Sequence, residues 1–188
     1  MLDEQFDLGH MPVPPKRKDY GIGAIGTGFI MRDIHLVAYA KAGYKVEAIC
    51  GKPSGAAREV AGLRGIRRAY DSFQELLADP GVEIVDIAVP PHLQLEVVKE
   101  ACRYAGRVKG ILAQKPLAMN YPEAVELVET CKRAGVTLAV NQNMRYDQSI
   151  RALKTILGRG WLGEPVLATI EMRAIPHWQT WLRDYPGL

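Results

Sequence analysis

From residue 20 onward, short apolar runs alternate with longer segments in which apolar residues recur every three or four positions. The short runs predict buried strands, and the longer segments predict amphipathic helices. Strands are expected at residues 20–25, 45–50, 69–70, 84–89, 108–113 and 136–140, and helices at residues 29–42, 54–63, 73–78, 93–104 and 121–133. Because strands and helices alternate, the sequence predicts an α/β fold with a doubly wound parallel sheet.

Capping residues mark the ends of two of these helices. Ser72 and Glu75 have the spacing of a capping box, in which each side chain accepts a hydrogen bond from the other residue's backbone. Asn120 is expected to cap the helix over 121–133, and Gly135 supplies the left-handed residue that ends it.

The two ends of the chain differ from this pattern. Residues 1–19 contain three prolines and a short basic run, which predicts an extended arm rather than a helix or strand. Residues 20–145 are expected to form the sheet domain. Residues 146–188 predict one helix at 149–157 and one strand at 166–173, too little to bury a core. We therefore expect them to open a second, α+β domain that this truncated chain does not complete.

Composition and charge exclude several classes of protein. Apolar residues make up 48% and charged residues 24% of the 188 residues, which is ordinary for a globular protein. The net charge is only +3 and no basic cluster with interleaved aromatics occurs, so no nucleic-acid partner is expected. No apolar run reaches the ~18 residues of a membrane span, and the N-terminus does not resemble an export leader. Three cysteines without CxxC spacing indicate reduced thiols and a cytoplasmic protein.

The glycine-rich segment between the first strand and the first helix is the main candidate for ligand binding. Gly26 allows a tight turn there, Gly28 leaves room for a pyrophosphate, and the following helix N-terminus favours an anion. A second register, from Gly21 to Gly26, also matches the dinucleotide fingerprint but would place the loop inside the strand. We prefer Gly26-x-Gly28 with Met31 at the third position, against the alternative of a glycine-rich strand end that binds nothing.

The end of the second strand bears on cofactor choice. An NAD site usually has a carboxylate there for the ribose hydroxyls, and none follows Glu47 in this segment. Lys52, next to Gly51, instead has the charge to pair with the 2′-phosphate of NADP. The alternative is that Lys52 is a solvated lysine in a turn, so the expected cofactor is NADP or NAD with a slight preference for NADP.

Lys115 is the candidate catalytic residue. It lies in Gln114-Lys115-Pro116, after a parallel strand, where open α/β sheets bind their ligands. A lysine held there among apolar walls serves in proton transfer or donates to a substrate hydroxyl. The alternative is an ordinary surface lysine.

Other polar and aromatic residues give weaker signals. The histidines are dispersed and none adjoins a cysteine, so no metal site is expected, and His35 is interpreted as a packing or capping residue. Asn143 and Arg145 either reach the ligand or cap the next helix and pair with Asp147. The aromatic group at 177–181 is interpreted as packing, with a substrate pocket as the alternative.

Four motifs together resemble the Gfo/Idh/MocA family, the oxidoreductases related to glucose-fructose oxidoreductase and inositol dehydrogenase. The segments that carry the resemblance are Gly26-Thr27-Gly28-Phe29-Ile30, Val89-Pro90-Pro91, Gln114-Lys115-Pro116-Leu117-Ala118 and Asn143-Met144-Arg145-Tyr146. The resemblance implies a Rossmann-type NAD(P)-binding domain in which Lys115 helps to move the hydroxyl proton during hydride transfer. The expected cofactor-binding residues are Gly26, Gly28, Phe29, Ile30, Gly51, Lys52, Val89, Pro90, Gln94, Gln114 and Asn143.

Three positions depart from the family pattern. Gln114 replaces a glutamate, Gln94 stands where many members have histidine, and Met31 replaces a small residue. The family's catalytic histidine and aspartate belong to the second domain and are expected beyond Leu188, so the chain alone is expected to be inactive.

The resemblance implies an oxidoreductase for a sugar, a polyol or a related hydroxyl or carbonyl substrate, homo-oligomeric at full length. A non-catalytic nucleotide-binding or interaction module is the alternative. A methyltransferase ranks last, because the acidic residues it needs in the glycine turn and after the second strand are absent.

Overall fold

A six-stranded parallel sheet is the centre of the protein, as a computed structural model describing residues 7–171 shows. Its strands are β1 (Ile22–Ile25), β2 (Val46–Cys50), β3 (Arg68–Tyr70), β4 (Ile84–Ile87), β5 (Gly110–Gln114) and β6 (Thr137–Asn141). They lie in the order β3-β2-β1-β4-β5-β6 and every neighbouring pair is parallel. This order confirms the doubly wound α/β fold and places the topological switch point between β1 and β4.

Helices connect the strands close to the predicted positions. They are α1 (Leu36–Ala42), α2 (Ala56–Arg64), α3 (Phe73–Ala78), α4 (Pro91–Cys102), α5 (Tyr121–Ala134) and α6 (Gln148–Gly158). The capping box of Ser72 and Glu75 is present, Asn120 caps α5, and Gly135 ends it in the left-handed conformation with φ of 67°.

One prediction about the elements was wrong and another was right only in part. The helix expected over 29–42 begins as a π-helical segment, Ile30–His35, which runs directly into α1. The strand expected over 166–173 is absent from residues 166–171, which form no regular element, with Val166 97% and Ile170 91% exposed. Residues 172 and 173 lie outside the described part. An apolar, β-branched run predicts a strand only where a partner strand is present to pair with it.

The central strands of the sheet are buried on both faces. Ala24 of β1 and Ile49 of β2 belong to a cluster with Met31 and Leu36, while their chain neighbours Ile25 and Cys50 point into a larger cluster on the opposite face. This alternation follows from the two-residue period of a strand, and burial on both faces explains why the strands are almost entirely apolar.

The chain divides into two compact units. One is Pro12–Tyr146, and the described part of the other comprises residues 7–11 and 147–171. Within the second unit the Asp147 side chain caps α6 by accepting from the backbone N–H of Ser149 at 2.9 Å, and the Thr155 hydroxyl donates to the carbonyl of Leu8 at 2.6 Å. Within residues 7–171, no helix is long and apolar enough to cross a membrane.

Candidate functional site

The turn after β1 is fixed between the ends of two neighbouring strands. The N–H of Gly26 donates to the carbonyl of Cys50 at 2.9 Å, and the N–H of Ala88 donates to the carbonyl of Ile25 at 2.8 Å. Gly26 has φ of 120°, and a Cβ there would lie 2.4 Å from the carbonyl oxygen of Ala88. The fold itself therefore requires glycine at position 26.

Gly28 is glycine for a different reason. It is exposed, its φ is not positive, and a Cβ built on it would meet nothing within 4 Å. Phe29 and Ile30 follow it at the start of the helical segment. Nothing in the described chain demands a glycine here, so the open space in front of Gly28 is the part of the turn that a ligand can approach.

The structure also decides between the two possible registers of the glycine motif. Gly23 lies inside β1, where a Cβ would come within 2.8 Å of the side chains of Val82 and Leu76. The turn comprises Gly26 to Gly28, and Met31 is fully buried beneath the π-helical segment. In the dinucleotide fingerprint, a small residue at the third position lets the helix approach the sheet closely. Here the larger Met31 occupies that position, and the helix begins with a wider, π-helical turn.

At the end of β2, Gly51 serves the turn and Lys52 faces solvent. A Cβ on Gly51 would lie 2.5 Å from a methyl carbon of Thr27, whose hydroxyl donates to the carbonyl of Lys52 at 3.2 Å. Gly51 thus fixes the turn against β2 by close packing. The side chain of Lys52 is exposed at this corner of the sheet.

Sequence reasoning missed the carboxylate that stands near this corner. Asp71 follows β3, which pairs with β2, and its two oxygens lie 3.4 Å from Ser54 Oγ and from Arg58 Nη1. The sequence motif points only to residues that directly follow β2. Because β3 pairs with β2, the residue that follows β3 lies beside the end of β2. Arg58 offsets the charge of Asp71 and adds a second exposed cation near Lys52.

Across the switch point, Gln94 supports the segment that follows β5. It lies on α4, which begins directly after Val89 and Pro90, both partly buried at the end of β4. Its Nε2 donates to the carbonyls of Gln114 at 3.0 Å and Pro116 at 2.7 Å. Because the side chain of Gln94 is fully buried and its amide is used internally, the geometry favours a positioning role over the cofactor contact expected from sequence.

Lys115 is exposed between these two supported carbonyls. Its backbone N–H donates to its neighbour's side-chain oxygen, Gln114 Oε1, at 2.9 Å. Within residues 7–171, Nζ of Lys115 makes no hydrogen bond or ion pair, so the amine is available to a ligand. Lys115 is exposed, so within the described residues its side chain is not enclosed by the apolar walls expected around it.

A buried polar cluster, also missed from sequence, lies on one face of the sheet beside this edge. Its centre is His35, whose Nδ1 is 2.8 Å from Asp86 Oδ2 and whose Nε2 is 2.8 Å from Asn141 Nδ2. Tyr39 also donates to Asp86 Oδ2, at 2.7 Å, and burial together with that carboxylate raises the pKa of the Tyr39 hydroxyl. The available sequence signal was Asp86 itself, the one charge in an otherwise apolar strand.

The remaining predicted residues lie beyond β6 or elsewhere. Asn143 and Arg145 are exposed on a short 3-10 helix, Asn143–Tyr146, and Asp147 rather than Asn143 caps α6. The aromatic group at 177–181 lies outside the described residues. Among residues 7–171, no three histidine, cysteine or acidic side chains converge as a metal site would require.

The thiols are free, and two of them are close. Cys102 Sγ and Cys131 Sγ lie 3.8 Å apart between α4 and α5, and Cys50 is buried at the end of β2. Burial raises the pKa of Cys50 and of Cys131 to about 12. The cysteines therefore form part of the packing rather than a reactive site.

Comparison with known proteins adds independent information. Residues 20–142 match the Gfo/Idh/MocA family model, described as an oxidoreductase family with an NAD-binding Rossmann fold. The chain is 31% identical to the 1,5-anhydro-D-fructose reductase of Ensifer adhaerens over 167 residues, 87% of this chain and 49% of that protein. It is 33% identical to the D-apiose dehydrogenase of Rhizobium rhizogenes over 151 residues, 80% of this chain and 43% of that protein.

Solved structures give the same result for the fold. An oxidoreductase from Agrobacterium radiobacter, in complex with NAD+, L-tartaric acid and magnesium, superposes with a TM-score of 0.72 and 31% sequence identity. That match covers 78% of this chain and 42% of the other. The chain spans about half the length of the curated relatives it matches.

Proposed function

The chain belongs to the Gfo/Idh/MocA family of oxidoreductases, which has an NAD-binding Rossmann fold, and we propose that it binds a nicotinamide dinucleotide along the carboxyl edge of its sheet. The pyrophosphate lies over the turn from Gly26 to Ile30, at the switch point between β1 and β4. The adenosine half lies towards Gly51 and Lys52, and the nicotinamide half lies towards Lys115.

The observation that carries this proposal is the contrast between Gly28 and its neighbouring glycines. Gly26 and Gly51 are required by internal packing, whereas a Cβ on Gly28 would meet no atom of the described chain. A glycine without an internal reason, just before a helix N-terminus, fits the close backbone approach of a pyrophosphate. The residues present therefore fit the cofactor.

We propose a modest preference for NADP over NAD. Lys52 is exposed at the end of β2, and Arg58 adds a second exposed cation on the first turn of α2. A 2′-phosphate placed there would accept charge-assisted hydrogen bonds from both side chains. The Asp71 carboxylate nearby is already paired with Arg58 at 3.4 Å.

For the reaction of the whole protein, we propose hydride transfer between this cofactor and the carbinol carbon of a carbohydrate or polyol. The bound nicotinamide supplies the hydride acceptor. Lys115 donates a hydrogen bond to the substrate oxygen and helps to transfer its proton, while Gln94 and Gln114 hold the backbone on either side of it. The relatives named for anhydrofructose and apiose support the carbohydrate class.

One observation favours a second candidate, a module that binds the dinucleotide without catalysis. Gln114 replaces the family's usual glutamate, which removes a negative charge beside Lys115. The two candidates differ in the role of Lys115: a catalytic lysine affects turnover of the whole protein, whereas in a binding module the Lys115→Ala change affects no reaction.

The test of cofactor binding is a titration of the chain with NADPH and with NADH, followed by nicotinamide fluorescence. We expect saturable binding of at least one of them. Gly28→Val should abolish it without unfolding the chain, because the added methyl groups fill the space left for the pyrophosphate. Gly106→Val, also in open space but remote from this edge, is the matched control. Native affinity in the Gly28→Val chain would contradict the assigned site.

A further inference from the structure

The buried cluster around His35 links the glycine turn to the far side of the sheet. His35 is the last residue of the π-helical segment, and its side chain is 8% exposed. Its Nδ1 faces Asp86 on β4, and its Nε2 faces the side-chain amides of Asn141 at 2.8 Å and Gln114 at 3.5 Å. One side chain therefore contacts three successive strands, β4, β5 and β6.

The hydrogen bonds in this cluster have a definite direction. Asn141 and Gln114 both direct an amide nitrogen at Nε2 of His35, so Nε2 is the acceptor and the ring proton lies on Nδ1. Nδ1 then donates to Asp86 Oδ2, which also accepts from the Tyr39 hydroxyl. The two ends of the ring thus have different partners: a carboxylate at one end and two amides at the other.

The amide end leads to Lys115. Gln114 and Asn141 are the last residues of β5 and β6 and are paired with each other in the sheet. The amide nitrogen of Gln114 faces Nε2 of His35 in a long contact of 3.5 Å, and Oε1 of Gln114 accepts the N–H of Lys115 at 2.9 Å. The orientation of the Gln114 side chain therefore depends on His35, and the backbone of Lys115 depends on Gln114.

We propose that His35 is a positioning residue for the nicotinamide half of the site, acting through Asn141 and Gln114 on the segment that carries Lys115. This inference rests on the proposed cofactor site. The adenosine half depends instead on Thr27, Gly51 and Lys52, which lie on the other side of the switch point and make no hydrogen bond to the His35 cluster in the described residues. Loss of the contacts that Nε2 of His35 makes with Asn141 and Gln114 should therefore weaken binding of the nicotinamide half and leave binding of the adenosine half unchanged.

Two variants separate the two ends of the ring. In His35→Asn the amide nitrogen takes the place of Nδ1, so the bond to Asp86 is kept and the acceptor for Asn141 and Gln114 is lost. In His35→Gln the longer side chain brings an oxygen to the place of Nε2, so the amide partners are kept and the bond to Asp86 is lost. A purely structural role, satisfying the buried carboxylate, predicts that the Asn variant resembles the native chain and the Gln variant does not.

The measurement is the affinity of each chain for NADPH and for adenosine 2′,5′-bisphosphate, which lacks the nicotinamide half. We expect His35→Asn to lower the NADPH affinity about five-fold, the value of one ordinary hydrogen bond, with the affinity for adenosine 2′,5′-bisphosphate unchanged. We expect His35→Gln to restore the NADPH affinity. Equal losses for both ligands, or a loss in the Gln variant alone, would overturn the inference.

Asn141→Ala keeps the test decisive if His35→Asn fails to fold. It removes the partner from the end of an edge strand and should give the same selective loss of NADPH affinity. The same affinity for NADPH in native and Asn141→Ala chains would overturn the inference while leaving the cofactor site in place. Failure of the native chain to bind either NADPH or NADH would overturn both proposals.

Discussion

Thr27 lies directly against Gly51, so closely that a Cβ on Gly51 would be 2.5 Å from the Thr27 methyl carbon. The Thr27 hydroxyl also donates to the carbonyl of Lys52 at 3.2 Å. The glycine turn and the end of β2 are thereby fixed to each other. A pyrophosphate bound over the turn would place the adjoining ribose at the end of β2, where Lys52 is exposed.

This arrangement predicts that Lys52 contributes to cofactor choice. Lys52→Glu should lower the ratio of NADPH affinity to NADH affinity by roughly three- to ten-fold, because an exposed ion pair contributes up to about 1 kcal/mol and the change reverses its charge. Lys41→Glu, an equal charge change on an exposed lysine of α1, should leave the ratio unaltered. The fluorescence titration with both cofactors measures the ratio. An unaltered ratio in Lys52→Glu would remove this lysine from cofactor selection.

Gly26 gives a prediction about stability rather than binding. Gly26→Ala should lower the free energy of unfolding by about 2 kcal/mol or more, because alanine is strained at φ of 120° and its Cβ would contact the Ala88 carbonyl. Gly65→Ala is the matched control: its φ is 69° but its Cβ would lie in open space. Urea unfolding of the two variants should show the larger loss at position 26. Equal losses would mean that the contact with Ala88 adds nothing.

Most of the sheet could be predicted from the sequence, because apolar runs, the capping box at Ser72 and the stop at Gly135 are local signals. The π-helical segment, in which Met31 is fully buried, could not, since no local signal distinguishes it from the start of an α-helix. The strand expected over 166–173 failed in its described part, because pairing is decided by a partner strand and not by β-branched residues alone.

The candidate site, too, has some features that the sequence predicts and others that only the structure reveals. The turn and the position of Lys115 after β5 follow from order along the chain. Three relationships depend on elements far apart in sequence: Asp71 beside the end of β2, Gln94 beneath Pro116, and His35 against Asp86. A single sequence indicates which residues are polar but not which of them meet across the sheet.

Gln94 is predicted to hold the Lys115 segment by its amide N–H groups. Gln94→Leu should lower the free energy of unfolding by about 1–3 kcal/mol, because the carbonyls of Gln114 and Pro116 both lose their side-chain donor. Gln94→His, which retains a ring N–H donor, should lose less. Urea unfolding checks the order of the two variants. If leucine were tolerated as well as histidine, the amide would have no part in holding this segment.

The location of the cofactor is the central claim, and NMR tests it most directly. Titration of the 15N-labelled chain with NADPH should shift the backbone amide signals of Gly28, Lys52 and Lys115 along the carboxyl edge, and leave those of Gly81 and Gly135 at the opposite edge in place. Saturating shifts at these three positions are the predicted result. Shifts centred on Gly81 and Gly135, or none at any position at saturating NADPH, would contradict the account.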